Sequence, residues 1–154
     1  MSGPDGSIQD KMKAFERICK DSGLRLTHQR LEIFRVVAHA DDHPSAEDIY
    51  RRVKPKIPPI SFDTVYRTLA LFERHGVIAK VNDLADRTRY DPNTRVHHHM
   101  ICTECKAIRD FYWPDLDAME PPEETQGWGI VKGRHLELRG ICQKCLEKKT
   151  KRKS

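Results

Sequence analysis

Two Cys-x-x-Cys pairs near the end of this 154-residue chain constrain its fold more than any other feature. Cys102 and Cys105 form the first pair, and Cys142 and Cys145 form the second. Each pair presents two thiolates on one turn, and four thiolates complete the tetrahedral shell of a structural zinc site. Because no ligand position would stay open, we expect a structural Zn²⁺ that stabilises the fold. The alternatives are a dithiol redox site or free core cysteines, and core packing is expected for Cys19.

The composition limits the classes of protein to consider. With 38% hydrophobic and 33% charged residues, the chain can form one hydrophobic core with few apolar residues or two small cores. No segment approaches the roughly 18 apolar residues of a membrane span, and the N-terminus lacks a signal-peptide pattern, so we expect a cytoplasmic protein without a membrane partner. The net charge of +5 resides in residues 144–154, which indicates a solvated basic tail. Evidence for nucleic-acid binding must therefore come from local sequence pattern.

The first half of the chain has the pattern of helices followed by a hairpin. Residues 1–7 are polar and predicted to be disordered. An apolar stripe predicts a first helix from Ile8 to about Asp21, and three further helices are expected to begin at capping residues, namely Thr27, Ser45 and Ser61. Residues 77–81 and 88–91 predict the two strands of a hairpin. This order is typical of a winged helix-turn-helix, whose last helix enters the major groove of DNA.

The second half of the chain, from about Val96, contains several segments with the sequence pattern of β-strands. Four segments are expected to be strands: 97–102, 107–112, 127–131 and 134–141. A short helix is expected after Trp113, ended by Pro121-Pro122. We therefore predict an α+β chain with three parts: a winged-helix domain over residues 1–92, a small α/β domain over residues 93–147 and a basic tail over residues 148–154.

A second candidate metal-binding pattern lies just before the first cysteine pair. On a strand, His97 and His99 point to one face while His98 points to the other. Three further candidate ligands lie elsewhere, namely His43, Asp91 and Asp110, and spacing alone does not bring them together. If they converge, the nitrogen and oxygen donors suit Fe²⁺ or Mn²⁺, whereas sulfur donors select zinc. The alternative is a surface strand whose histidines bind nothing.

The ordered motifs resemble the ferric uptake regulator (Fur) family over about residues 9–147. The segments that carry the resemblance are Leu24–Arg30, His43–Tyr50, Thr64–Leu69, His97-x-His99-x-x-Cys102-x-x-Cys105 and Cys142-x-x-Cys145. The resemblance implies a homodimeric, metal-dependent bacterial transcription factor rather than an enzyme. Its N-terminal winged helix would bind palindromic operators in double-stranded DNA, and its C-terminal α/β domain would dimerise.

The resemblance also implies roles for individual residues. The four paired cysteines match the structural zinc site, and the regulatory Fe²⁺ or Mn²⁺ site matches His43, Asp91, His97, His99 and Asp110. The expected DNA contacts are Arg25, Thr27, Arg30, Ser61, Thr64, Tyr66 and Arg67. Metal binding is expected to tie His43 to ligands of the second domain and so to set the spacing of the two winged helices.

Asp110 favours the peroxide-sensing (PerR) branch, because iron-uptake regulators of the family commonly carry Glu at this position. In that branch Fe²⁺ and hydrogen peroxide oxidise a ligand histidine, for which His43 and His97 are the candidates. The alternatives are an iron-, zinc- or manganese-responsive repressor without histidine oxidation, or a zinc-ribbon interaction module. A zinc hydrolase is disfavoured, since the chain has no His-Glu-x-x-His motif.

Some family members carry a further metal site. Its positions match Val96, His98, Asp117 and Arg134 in this chain. Valine and arginine are not metal ligands, so we expect that site to be absent, although His135 is adjacent.

Overall fold

The structure, a computed structural model, describes residues 6–153. The chain divides into two compact units between Thr94 and Arg95, and we call residues 6–94 the N-terminal unit and residues 95–153 the C-terminal unit. Within these described residues, no helix has the length and apolar character needed to cross a membrane. The disorder predicted for residues 1–5 lies outside the described residues. The same prediction is wrong for Ser7, because its side chain accepts a hydrogen bond from the amide of Asp10 and caps the first helix.

The N-terminal unit contains four helices and a hairpin. The helices are α1 (Ile8–Asp21), α2 (His28–His39), α3 (Ala46–Val53) and α4 (Phe62–Arg74). The predicted N-caps Thr27, Ser45 and Ser61 are confirmed, since each side chain accepts a hydrogen bond from the amide three residues later. Strands β1 (Ala79–Asn82) and β2 (Thr88–Asp91) pair antiparallel as the wing.

Three phenylalanines form the centre of the core of the N-terminal unit. Phe15 of α1 stacks on Phe34 of α2 with ring centroids 4.1 Å apart, and Phe72 of α4 meets Phe15 edge-on at 5.2 Å. Cys19 is buried in the same core, as predicted, and burial raises the pKa of its thiol. Packing of one face of α4 into this core leaves Tyr66 on the opposite face 53% exposed.

The C-terminal unit is built on a three-stranded sheet. Strands β3 (His98–Cys102), β4 (Ile108–Phe111) and β5 (Glu137–Gly140) lie in the order β4-β3-β5, with β3 antiparallel to β4 and parallel to β5. The register places His99 opposite Asp110 on one side and opposite Glu137 on the other. Helix α5 (Pro114–Ala118) and a short 3₁₀ helix (Glu123–Thr125) precede β5, and helix α6 (Gln143–Arg152) follows it.

One strand predicted for the C-terminal unit is absent. Residues 127–131 form no strand, because Gly127 and Gly129 have φ angles of +79° and +144°, which break the extended conformation. The basic residues from 148 on are exposed, and those up to Arg152 belong to helix α6. The strand predicted over residues 134–141 is shorter than expected, covering Glu137–Gly140.

Candidate metal centres and DNA-facing helix

The four paired cysteines form a cysteine cluster in the C-terminal unit. The Sγ atoms of Cys102 and Cys145 lie 3.9 Å apart, those of Cys105 and Cys142 lie 3.8 Å apart, and all four lie within 4.8 Å of one another. Tetrahedral Zn–S bonds of about 2.3 Å give S–S edges of about 3.8 Å, whereas a disulfide needs about 2.05 Å. The cluster therefore fits a closed Zn²⁺ site and not a pair of disulfides.

Backbone hydrogen bonds shape the turns that hold the cysteine cluster. Cys102 ends β3, and the turn after it closes with the amide of Lys106 donating to the carbonyl of Cys102 at 3.0 Å. Lys106 adopts a left-handed φ of +63° in this turn. The amide of Thr103 donates to the carbonyl of Gly140 at 2.7 Å, which joins the first turn to the second. The two Cys-x-x-Cys turns thus meet because β3 and β5 are neighbours.

The electrostatics of the cysteine cluster favour a cation. The amide of Cys142 donates to the sulfur of Cys102 at 3.3 Å, and this hydrogen bond, with others from the amides of the first turn, lowers the pKa of Cys102 to about 6. The neighbouring sulfur of Cys142, together with burial, raises the pKa of Cys145 to about 12. Four thiolates so close together repel one another, so full ionisation requires a bound metal.

His43 and Asp91 form what we call the N-terminal donor pair. The Nε2 atom of His43 lies 3.2 Å from Oδ2 of Asp91, and both side chains are buried. The other carboxylate oxygen of Asp91 accepts a hydrogen bond of 2.8 Å from the amide of Asn93. A buried imidazole beside a buried carboxylate is a frequent arrangement at metal sites.

Arg89, a residue that the sequence analysis missed, holds the backbone around His43. Its guanidinium donates to the carbonyl of His43 and, at 2.7 Å, to the carbonyl of Asp42. The amide of Tyr90 donates to the carbonyl of Pro44 at 2.9 Å. Wing strand β2 therefore fixes the turn before α3 and places Asp91 beside His43.

Asp83, also missed, organises the turn of the wing. Its carboxylate accepts hydrogen bonds from the amides of Ala85 and Arg87 at 2.8 and 3.0 Å and from the side chain of Arg87 at 2.9 Å. Burial opposes ionisation of Asp83, but these hydrogen bonds outweigh it and lower the pKa of the carboxyl. Arg89 approaches the same carboxylate at 3.4 Å, so the wing turn and the His43 turn share one arginine.

His97, His99 and Asp110 form the C-terminal donor trio. The Nε2 atoms of His97 and His99 lie 3.1 Å apart, and those atoms lie 3.6 and 3.2 Å from the carboxylate oxygens of Asp110. Nδ1 of His97 lies 2.6 Å from the carbonyl of Arg95. Because a carbonyl only accepts, Nδ1 carries a proton, and in the neutral ring Nε2 therefore holds the lone pair that can bind a metal. The three donors thus converge on one point, as a metal site requires.

His98, on the other face of β3, has a structural role. It is fully buried, its Nδ1 accepts a hydrogen bond of 3.1 Å from the amide of Leu136, and its Nε2 lies 3.1 Å from Asp117. Arg134 donates to the carbonyl of Leu116 at 2.8 Å, and Val96 is exposed. Among residues 6–153, neither His98 nor Asp117 belongs to a group of three or more metal-type donors.

The residues expected to contact DNA lie on and around α2 and α4. Arg67 and Tyr66 are exposed on α4, and Arg67 pairs with Asp63 at 2.9 Å. Ser61 and Thr27 use their side chains as helix caps. Thr64 follows at the start of α4, and Arg30 donates to the carbonyl of Arg25 at 2.6 Å near the start of α2. The roles of these residues in DNA binding stay predictions.

Comparison with known proteins identifies the family. The sequence profile described as "Ferric uptake regulator family" matches residues 21–139. The chain belongs to the ferric uptake regulator family. Members of this family are transcriptional regulators. One curated relative, the peroxide-responsive repressor PerR of Staphylococcus epidermidis, is 33% identical over 147 residues, which cover 96% of this chain and 98% of that protein.

Solved structures share the fold of this chain. The ferric uptake regulator Fur of Helicobacter pylori superposes with a TM-score of 0.71 at 22% identity, covering 94% of this chain and 97% of that one, which establishes the fold. A zinc uptake regulator complexed with zinc and DNA superposes with a TM-score of 0.69 at 26% identity, covering 94% of this chain and 99% of that one. The expected α+β fold with a Cys₄ cluster in the C-terminal unit is therefore confirmed.

Proposed function

We propose that this chain is a metal-dependent DNA-binding repressor that senses hydrogen peroxide through oxidation of a ligand histidine. The observation that carries the proposal is that nitrogen and oxygen donors separate from the cysteine cluster lie together within each unit, as the N-terminal donor pair and the C-terminal donor trio. The acidic member of the C-terminal donor trio is Asp110, the residue typical of the peroxide-sensing branch. Similarity to a peroxide-responsive repressor over nearly the whole chain supports the same choice.

The cysteine cluster and the nitrogen and oxygen donors suit different metals. We propose that the N-terminal donor pair and the C-terminal donor trio ligate one regulatory ion, and that the cysteine cluster holds a structural Zn²⁺. Three imidazole nitrogens and two carboxylate oxygens favour Fe²⁺ or Mn²⁺, because neither ion needs a thiolate. Binding by ligands from both units would tie the DNA-binding unit to the other unit and so change operator affinity.

The proposed sensing chemistry needs a redox-active ion. Held by the five proposed ligands, Fe²⁺ would supply the redox chemistry that activates hydrogen peroxide at this site. His43 and His97, two of the three proposed imidazole ligands, are the candidate targets. One peroxide oxygen enters a ring C–H bond and the other leaves as water. The modified ring is a poorer ligand, so the ion is released and the repressor leaves its operator.

The proposed DNA contact uses the exposed face of α4. Arg67 and Tyr66 project there, while the buried face of the helix is fixed by the aromatic core around Phe72. A homodimer would present two such helices to a palindromic operator, one for each half-site. The exposed apolar side chains of Trp128 and Ile130 in the C-terminal unit are consistent with an interface to a second copy.

A mass-spectrometric experiment tests the sensing step. Zinc-loaded protein receives Fe²⁺ without oxygen and then hydrogen peroxide, and Mn²⁺-loaded protein is the matched control. We expect one added oxygen on a peptide containing His43 or His97, in the Fe²⁺ sample alone, with parallel loss of an operator gel shift. Reversible Fe²⁺ binding with no oxygen atom added to either peptide would instead identify an iron-responsive repressor. Oxidation confined to cysteines would indicate a thiol mechanism, and absence of any metal-dependent shift would favour a zinc-ribbon module.

A further inference from the structure

His135 lies against a proposed metal ligand, and the sequence gives it no role. Its Nε2 atom lies 3.1 Å from Nδ1 of His99, and the two ring centroids are 4.7 Å apart. Strand pairing fixes this contact, because the amide of His99 donates to the carbonyl of Leu136 at 3.1 Å. His135 is thereby held beside His99 by the backbone of the neighbouring residue.

The two nitrogens of His99 face different partners. Nε2 points to the C-terminal donor trio, at 3.2 Å from Asp110 and 3.1 Å from His97. Nδ1 faces His135 from the other side of the ring. The contact with His135 therefore uses the nitrogen of His99 that does not face the donor trio.

We propose that His135 is a positioning residue whose Nε2 accepts the Nδ1–H of His99 and so aims the His99 lone pair at the regulatory metal. The inference rests on the proposed metal site. It assigns to His99 the same kind of support that His97 receives from the carbonyl of Arg95 at 2.6 Å. A metal-bound histidine usually donates its second N–H to such an acceptor, which fixes the tautomer and orients the ring.

Two residues near His135 are engaged with other groups. The neighbouring Arg134 is engaged elsewhere, with the carbonyl of Leu116, and does not compete for His99. The role is distinct from that of His98, whose two nitrogens face Leu136 and Asp117 on the opposite face of β3.

Two variants of His135 separate hydrogen bonding from packing. His135→Leu removes the acceptor, and His135→Gln keeps one in the amide oxygen. His39→Leu is the matched control, since His39 is an exposed histidine on α2 of the other unit. Full-length zinc-loaded protein is titrated with Mn²⁺ against a chelator. We expect His135→Leu to weaken Mn²⁺ binding by about 10–100-fold, the usual effect of removing such a partner. His135→Gln should restore most of the affinity, and His39→Leu should leave it unchanged.

A second readout needs no metal. Nitrogen-15 NMR of the wild-type side chains is expected to show His99 as the Nδ1–H tautomer, and His135→Leu should yield a mixture of tautomers. Unchanged Mn²⁺ affinity in His135→Leu, or an equal loss in His135→Leu and His135→Gln, overturns the assignment. Failure of the wild-type protein to bind Mn²⁺ would overturn the proposed function itself, while the NMR tautomer of His99 would still test the contact with His135.

Discussion

The cysteine cluster and the histidine–aspartate donors differ in how the chain supports them. All four sulfurs come from two turns of the C-terminal unit, joined by the hydrogen bond from Thr103 to Gly140. The nitrogen and oxygen donors are divided between the two units, and three of them contact a neighbouring group: Asp91 contacts Asn93, His97 contacts Arg95 and His99 contacts His135. A closed sulfur site suits permanent stabilisation, whereas we propose that the donors divided between the two units bind the regulatory ion.

Removal of one cysteine ligand should have the largest effect. We expect Cys145→Ser to lose zinc and to unfold the C-terminal unit, because structural zinc in small domains contributes on the order of 10 kcal/mol. Zinc content and the fluorescence of Trp113 and Trp128, both in that unit, measure the result. Cys19→Ala is the control, since Cys19 lies in the core of the N-terminal unit and should keep full zinc. A folded, zinc-free Cys145→Ser protein would contradict a structural role.

Removal of one donor of the trio should affect metal binding and leave the fold intact. We expect Asp110→Ala to weaken Mn²⁺ binding by about 100-fold or more. This loss is larger than the one expected for His135→Leu, because Asp110 is a proposed ligand and His135 only positions one. Zinc content and the circular dichroism spectrum should stay at wild-type values. Met100→Ala, on the same sheet but 37% exposed and not a donor, is the matched control. Loss of zinc in Asp110→Ala would show that the two centres are coupled rather than separate.

Substitution of Asp83 tests how much the turn of the wing stabilises the N-terminal unit, which holds the N-terminal donor pair. We expect Asp83→Asn to destabilise the N-terminal unit by about 1–3 kcal/mol, because buried hydrogen bonds to a carboxylate are lost. The lowered pKa of Asp83 gives the sign of the pH effect. Its stabilisation is complete above its unfolded pKa of about 4 and is lost as the pH falls through the lower folded value. Denaturant unfolding of both proteins is followed by NMR of N-terminal amides. The free energies of unfolding of wild type and Asp83→Asn should become equal in acid. A difference that stays constant with pH would contradict the role of the ionised carboxylate.

The smallest stability effect is expected on the exposed face of α4. The pair formed by Asp63 and Arg67 is exposed, so Asp63→Ala should change stability by less than about 1 kcal/mol. Arg67→Ala should be equally neutral for folding but should weaken operator binding by about 1–3 kcal/mol. Thermal unfolding and operator titration at fixed salt separate the two quantities. Equal operator affinity of Arg67→Ala and wild type would remove Arg67 from the DNA contact.

Much of the fold could be predicted from short sequence patterns. Ser45 and Ser61 could be predicted as helix caps because a cap depends on an amide only three residues away. The cysteine cluster was predictable because each Cys-x-x-Cys turn is local and zinc chemistry needs two of them. The prediction at residues 127–131 was wrong because apolar residues there alternate with glycines, and the left-handed conformation of those glycines is set by the wider structure.

Contacts between distant segments could not be predicted from sequence pattern. Arg89 reaches the carbonyl of His43, and His135 reaches His99, across many residues of chain. No spacing rule links these positions, since the contacts depend on which strands become neighbours. The extent of the last helix could not be predicted either, because the basic residues after Cys142 suit both a solvated tail and the exposed helix α6.

Operator binding by zinc-loaded protein, titrated with Mn²⁺ at fixed salt, tests the central claim most directly. Separate structural and regulatory centres predict that zinc content stays constant while operator affinity rises with Mn²⁺, and that His99→Ala keeps its zinc but loses the response. Equal operator affinity with and without Mn²⁺ in the wild-type protein would contradict the account.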